Sequence, residues 1–248
     1  MLIPDEYDRL RVVLVATRNP LNLGAAARAM SNFGFPRLRV VNPYGLAFRE
    51  ARSAVGASQV LADAQEYKTV AEAVADCALV VGTTAGHNRE FQHPLRRLEA
   101  GVRLIDAQLR SRPVAILFGS EKRGLSNRDL SYCHWLLRIP TREGHPSMNL
   151  GQAVAICLYE LAREAETADA KPAANSEAAA AADLERITAV LLEALCASRY
   201  LAARPSASAE EKVRRLVRRL DLSAADAELW LGMLRQMAWK MGPGEKQD

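Results

Sequence analysis

The stretch Val114-Ala115-Ile116-Leu117-Phe118-Gly119-Ser120-Glu121-Lys122-Arg123-Gly124-Leu125-Ser126-Asn127 sets five apolar residues directly against a glycine and a charged loop. An apolar run without polar alternation reads as a strand covered on both faces, as in parallel sheets. Glycine at 119 lets a ligand or another chain segment pass close to the strand end, and Glu121 stands where open α/β sheets bind ligands. The plainer reading is a turn with a solvated glutamate.

Outward from this strand, the first two thirds of the chain alternate short β-branched runs with helical ones. Residues 12–16, 38–41, 78–81 and 135–139 read as further strands, and 22–33, 55–64, 70–75 and 147–164 as helices. Apolar strands separated by helices imply an α/β fold, a mostly parallel sheet with helices on both faces. From 165 the texture changes. Lys171-Pro172, Asn175-Ser176 and an alanine run at 178–182 offer little to fill a core and read as a linker. Three helices are expected beyond it, at 183–203, 209–220 and 224–241, with Asp183 and Ser208 or Ser223 as caps and Pro205 and Pro243 as breakers. The expected units are residues 1–165, a linker at 166–182 and a helical extension at 183–248.

Composition narrows the function. The 248 residues are 49% apolar and 25% charged, which excludes wholesale disorder. No stretch of about 18 apolar residues appears, and the acidic start lacks the basic region and cleavage site of a secretory leader, so a cytoplasmic protein without a membrane span is expected. Cys77, Cys133, Cys157 and Cys196 stand apart, without a C-x-x-C pair, and read as reduced core residues. The net charge is +4, and 27 of the 33 basic residues are arginine, the cation that forks onto phosphate and stacks on bases. In the tail, Lys212, Arg214, Arg215, Arg218 and Arg219 flank an apolar stripe of Val213, Leu216, Val217 and Leu220; a solvated face and an RNA-contacting one are equally compatible with that pattern.

The common nucleotide and metal sites fail. No G-x-G-x-x-G follows a strand, and Gly119-Ser-Glu-Lys-Arg-Gly124 continues as Leu125-Ser126, where a P-loop requires Lys and then Ser or Thr. His87, His93, His134 and His145 form no tight pair, so no metal is expected. Two segments besides 114–127 place unusual residues at strand ends. Arg18-Asn-Pro-Leu-Asn22-Leu-Gly24-Ala-Ala-Ala-Arg28 follows the first strand; Asn22 suits an N-cap, and Arg28, roughly 600° further round the helix, points elsewhere. Ile139-Pro140 leads through a polar loop to Ser147-Met148-Asn149-Leu150, where a hydroxyl and an amide stand in the expected first helical turn beside free N–H groups.

Taken together, Asn22-x-Gly24-x-x-x-Arg28, Gly119-x-Glu121-x-x-Gly124-Leu125 and Ile139-Pro140 followed by Ser147-x-Asn149 resemble the three motifs of SPOUT-class, TrmH-type RNA 2′-O-methyltransferases. The match spans most of residues 11–165. The opening strand and a helical extension containing Gly232-Met-Leu-Arg-Gln236 and Trp239 are most similar to the TrmJ type, which modifies tRNA at anticodon-loop nucleotide 32. The resemblance implies a C-terminal deep trefoil knot, a homodimer and S-adenosylmethionine as cofactor. It places the cofactor around Thr83, Thr84, Ala85, Gly119, Ile139, Ser147, Met148 and Leu150, held largely by backbone groups. It makes Arg28 the residue at the 2′-hydroxyl, Ser147 its positioning or relay partner, and Asn22, Glu121 and Asn149 the residues that hold the site. Met148 and Gly151 depart from the family pattern, which more often has Leu and a small polar residue or Ala. A ribosomal RNA substrate, or an RNA-binding module without catalysis, remains the alternative.

Overall fold

Val114–Phe118 is a strand, β6, with all five residues buried. Val114, Ile116 and Phe118 enter one apolar core while Ala115 and Leu117 enter another, so the strand is covered on both faces. The structure, a computed structural model, describes residues 4–43, 45, 48, 59–85, 92–142, 144–145, 147–164 and 178–241. The other strands are β1 (Leu10–Val15), β2 (Leu38–Val41), β3 (Gln65–Tyr67), β4 (Leu79–Thr83), β5 (Leu95–Arg97) and β7 (Trp135–Arg138). Their order in the sheet is β3-β2-β1-β6-β4-β7-β5, and every pairing is parallel. Strands β6 and β7, late in the chain, each lie between strands formed earlier, so the carboxyl ends of β4, β6 and β7 stand side by side.

The helices are α1 (Pro4–Tyr7), α2 (Pro20–Phe33), α3 (Gln59–Ala62), α4 (Val70–Ala73), α5 (Leu98–Leu109), α6 (Asn127–Leu130), α7 (Leu150–Glu164), α8 (Ala181–Ala197), α9 (Ala207–Arg219) and α10 (Ala224–Met241). The cores of α2, α5 and α7 cover one face of the sheet; α4, α6 and the first residue of α8 contribute to the other. Helix α5 is absent from the sequence reading, although Leu98, Val102, Ile105 and Leu109 follow a helical period and are all buried. Strands β3 and β5 are short, polar and at the sheet edges, and carry no apolar signal. The far end of the expected linker is packed against the sheet domain: Ala179 and Ala181 are buried, and the Ala181 N–H donates to the Cys77 carbonyl at 2.8 Å. Alanine fills little volume but lets the backbone dock closely. Positions 166–177, 55–58, His87, Pro146 and Pro243 lie outside the described residues.

The tail corrects the reading of its basic cluster. Helix α9 starts at Ala207 with Ser206, not Ser208, as its cap; α8 starts at Ala181 with Asp183 in its first turn, and Ser223 accepts from the Asp226 N–H of α10 as expected. Of the expected apolar stripe only Val217 is buried, while Leu216 and Leu220 are exposed. Arg214 and Arg218 are buried instead. Arg214 Nε donates to both carboxylate oxygens of Glu185 of α8 at 3.1 Å, Nη1 donates to the Ser131 hydroxyl at 3.2 Å, and the guanidinium lies over the Tyr132 ring at 4.6 Å. Arg218 reaches Glu185 at 3.5 Å. These two arginines therefore dock the tail on the sheet domain rather than face solvent or RNA, because Glu185 supplies the charge that makes their burial tolerable.

Behind that docking surface His134 is partly buried, and its Nδ1 accepts from the Val80 N–H at 3.1 Å. Burial, with Arg218 nearby, holds the ring neutral and lowers its pKa to about 3. The unfolded chain takes up this proton below about pH 6.5 and the folded chain does not, so stability is full above that pH and falls toward pH 3 at roughly 1.4 kcal/mol per pH unit. Thermal melts between pH 7 and 5 are expected to show this loss, and His134→Gln, which keeps an acceptor for Val80, should reduce the slope to what His93 alone contributes. An equal slope in the variant would remove His134 as its source.

Candidate active site

The N-terminus of α2 is set by Asn19, whose side chain accepts from the Leu21 N–H at 2.9 Å, with Pro20 at the first helical position. Asn22 is thus not the cap. Its buried side chain is free to join two other segments, and it does. Asn22 Nδ2 donates to Glu121 Oε1 at 2.9 Å, and Asn22 Oδ1 accepts from Asn149 Nδ2 at 2.9 Å. Asn149 Oδ1 in turn accepts from the Gly151 N–H at 2.9 Å and the Gln152 N–H at 3.4 Å. The long helix α7 begins at Leu150, so Asn149 caps it and Ser147 precedes it, one turn later than expected.

This chain of amides has a direction. A carboxylate stands at one end and the positive N-terminus of α7 at the other, and reversing either amide would bring oxygen against oxygen. Burial pushes the Glu121 carboxyl up, but the bond from Asn22 and those from backbone N–H groups outweigh it and leave its pKa below the ordinary value. Glu121 therefore stays ionised and an acceptor as pH falls toward the usual carboxylate range. Glu121→Gln removes the charge and exchanges one of the two acceptor oxygens for a donor; because Glu121 is exposed, we expect a loss of only about 1 kcal/mol of folding stability. Denaturant titration measures this, and unchanged stability would show that the charge of Glu121 does not help to hold the three segments together.

The cleft lies beside it. A cavity of about 350 Å³ opens at the carboxyl ends of β4, β6 and β7. Thr83, Thr84, Ala85, Gly119, Glu121, Ile139, Ser147, Met148 and Leu150 all line it. The loop of residues 119–124 closes tightly, with Gly124 N–H donating to Ser120 O at 2.8 Å. A Cβ on Gly119 would stand 2.0 Å from the Gly124 carbonyl carbon, so only glycine fits there. Gly151 serves another close approach: its Cβ would stand 2.6 Å from that of Ala25, where α7 crosses α2. Lys122 and Arg123 add positive charge to the rim.

Arg28 is not part of the cleft wall. It is exposed and shares a face of α2 with Leu21, seven residues earlier, whereas Asn22, Ala26 and Ala29 face inward. The sequence reading that Arg28 and Asn22 point in different directions agrees with this. Cys77, Cys133 and Cys157 are buried and Cys196 partly so, and burial raises the thiols of the first three. Among the described residues no group of three or more His, Cys, Asp or Glu is placed to hold a metal ion, and no helix is long and apolar enough to cross a membrane.

The cleft thus lies at three adjacent strand ends of a parallel sheet, and the Glu121–Asn22–Asn149 chain ties its loop to helices α2 and α7. The chain belongs to the SpoU rRNA methylase family, whose model matches residues 9–159. Over nearly its full length it is similar to the tRNA (cytidine/uridine-2′-O-)-methyltransferase TrmJ of Klebsiella pneumoniae, at 36% identity over 232 residues, 91% of this chain and 94% of that one. The crystal structure of TrmJ from Z. mobilis ZM4 superposes with a TM-score of 0.78 at 30% identity, covering 92% of this chain and 98% of that one. The SpoU methyltransferase AviRb of Streptomyces viridochromogenes, solved in complex with the cofactor AdoMet, shares the fold at a TM-score of 0.50 and 21% identity, over 64% of this chain and 59% of that one.

Proposed function

We propose that this protein methylates a ribose 2′-hydroxyl of tRNA, at anticodon-loop nucleotide 32, with S-adenosylmethionine as donor. The observation that carries this reading is the Glu121–Asn22–Asn149 chain, which unites the three motifs beside the cleft. The TrmJ relatives support tRNA as the substrate. The cleft fits the cofactor chemically: its volume suits a nucleoside-sized ligand, and the part of its wall made of backbone, hydroxyls and apolar side chains suits a neutral adenine, with Glu121, Lys122 and Arg123 as the charged part. Thr83, Thr84, Ala85, Gly119, Ile139, Ser147, Met148 and Leu150 would hold it.

When bound, S-adenosylmethionine supplies an activated methyl group, so the protein's task is to orient the 2′-hydroxyl and favour loss of its proton. A guanidinium is a poor base, and Arg28 stabilises the developing alkoxide by charge and hydrogen bonding. Ser147, exposed at the cleft, positions the ribose. Asn22, Glu121 and Asn149 keep the loop of residues 119–124 and the start of α7 in register.

The same reading includes a homodimer and a trefoil knot. Leu21 on α2 and Tyr159 on α7, 79% and 52% exposed, lie on two helices that pack together, and an apolar face of this kind suits a second copy. Arg28 shares the exposed face of α2 and would act across that contact. The close crossing of Gly151 on Ala25 and the insertion of β6 and β7 between earlier strands are what a threaded chain requires. The three tail helices would form an RNA-binding unit of residues 183–248, joined by a linker at 166–182, in a cytoplasmic enzyme. Labelled-methyl transfer to purified tRNA and to ribosomal RNA tests the substrate. Incorporation into tRNA alone is expected; incorporation into ribosomal RNA alone would favour the other branch of the family.

A further inference from the structure

A second cavity, of about 160 Å³, lies in the seam between α9 and the sheet domain. Gln92 and His93, just ahead of β5, form one wall and Asn127 of α6 another, while Lys212 and Arg215 approach from α9. Arg215 donates to Gln92 Oε1 at 2.8 Å and stands 4.0 Å from Glu211, the one carboxylate of the cavity wall. Lys212 is exposed and makes no ion pair among the described residues. His93 is 9% exposed; its ring is hydrogen-bonded to the Leu130 backbone, and Nε2 is buried with no partner. Burial, then the nearby cations Arg215 and Arg219, lowers the His93 pKa to about 4.

An unpartnered buried ring nitrogen beside surplus positive charge is an unfavourable arrangement in the free protein. An oxyanion offsets the charge. It pairs with Lys212 and Arg215, and a shift of the His93 ring at the cavity wall would bring Nε2 within its reach. The Asn127 amide and the Ser208 hydroxyl, also in the wall, add the neutral donors that typically complete a phosphate contact.

We propose that this seam cavity binds one backbone phosphate of the RNA substrate, at the junction of the helical tail with the sheet domain. The proposal rests on the reading of the substrate as RNA, and adds to it a specific anchoring point away from the cleft. Leu130 lines both the cleft and the seam cavity, so a strand leaving the cleft needs to pass only the four-residue helix α6 to reach it.

The test is the affinity of the full-length protein for unmodified tRNA as a function of salt, which is read without turnover. Lys212→Gln removes a partnerless exposed cation, and thermal melts check that the fold is kept. Expected are a several-fold loss of affinity and a log–log salt slope shallower by roughly 0.7–0.9, the value of one phosphate contact. Arg215→Gln should do the same, and Lys68→Gln, at the opposite sheet edge, should leave both quantities unchanged. Unchanged affinity and slope in Lys212→Gln would overturn the proposal, as would an equal loss in Lys68→Gln, which assigns the effect to net charge. Inorganic phosphate provides the last arm: if calorimetry shows it bound by the wild type and lost in Lys212→Gln while tRNA affinity is unchanged, the cavity serves a free anion and not RNA. A wild type that binds tRNA in this way yet transfers no methyl group would contradict the proposed function and leave the seam site standing; one that binds no tRNA overturns both.

Discussion

Replacing Arg28 with alanine is expected to lower methyl transfer by at least about 10²–10³-fold, the usual cost of removing one donor to a developing oxyanion, while S-adenosylmethionine still binds. The two effects separate because Arg28 lines no part of the cleft and lies on an exposed face of α2, whereas the residues assigned to the cofactor line it. Arg28→Lys keeps the charge but loses the planar fork, and intermediate activity is expected. Calorimetry for the cofactor and a labelled-methyl assay for turnover read the two separately. Full turnover in Arg28→Ala would remove this residue from the mechanism. Loss of cofactor binding along with turnover would mean that Arg28 shapes the cleft and not the transition state.

The second large effect concerns stability and differs between two partners of one ion pair. Arg214 and Arg218 are buried and share Glu185 as their carboxylate. Glu185→Ala leaves two guanidinium groups without a counter-charge, and a loss of about 2–4 kcal/mol is expected, at the low end for buried pairs because Glu185 is partly exposed. For a chain of this size that is a fall in melting temperature of roughly 4–16 °C. Arg218 is different. Its Nε and Nη1 have no partner, and burial pulls its pKa down against the pull of Glu185. Arg218→Met fills a similar volume without stranded donors, and is expected to lie within about 1 kcal/mol of the wild type or above it. A large loss in Arg218→Met would mean that its charge stabilises the seam, and a neutral Glu185→Ala that the seam carries little of the stability.

The candidate site residues are more legible in the sequence than their local contacts. Three motifs marked Asn22, Glu121 and Asn149 because each sits at a strand end or helix start, where apolar periodicity stops and polar identity matters. That they form one hydrogen-bonded chain was not legible, because it depends on bringing residues 22, 121 and 149 together in space. Asn22 read as a cap because Asn suits caps; Asn19 takes that role because Pro20 fits the first helical position and fixes the start. Helix α5 could have been found from Leu98, Val102, Ile105 and Leu109. Strands β3 and β5 could not, since their residues are largely exposed and their pairing partners alone define them. Arg214 and Arg218 of α9 depart from the expected outward face for a physical reason: hydrophobic periodicity assumes that charge faces water, and Glu185 on a neighbouring helix reverses that for these two.

The most direct test of the account is to methylate tRNA with the purified protein and locate the product by digestion and mass spectrometry. A single 2′-O-methylribose at nucleotide 32 of the anticodon loop is expected, absent when Arg28→Ala is used. Methylation on a base, a modified ribose outside the anticodon loop, or no transfer to tRNA at all would contradict it.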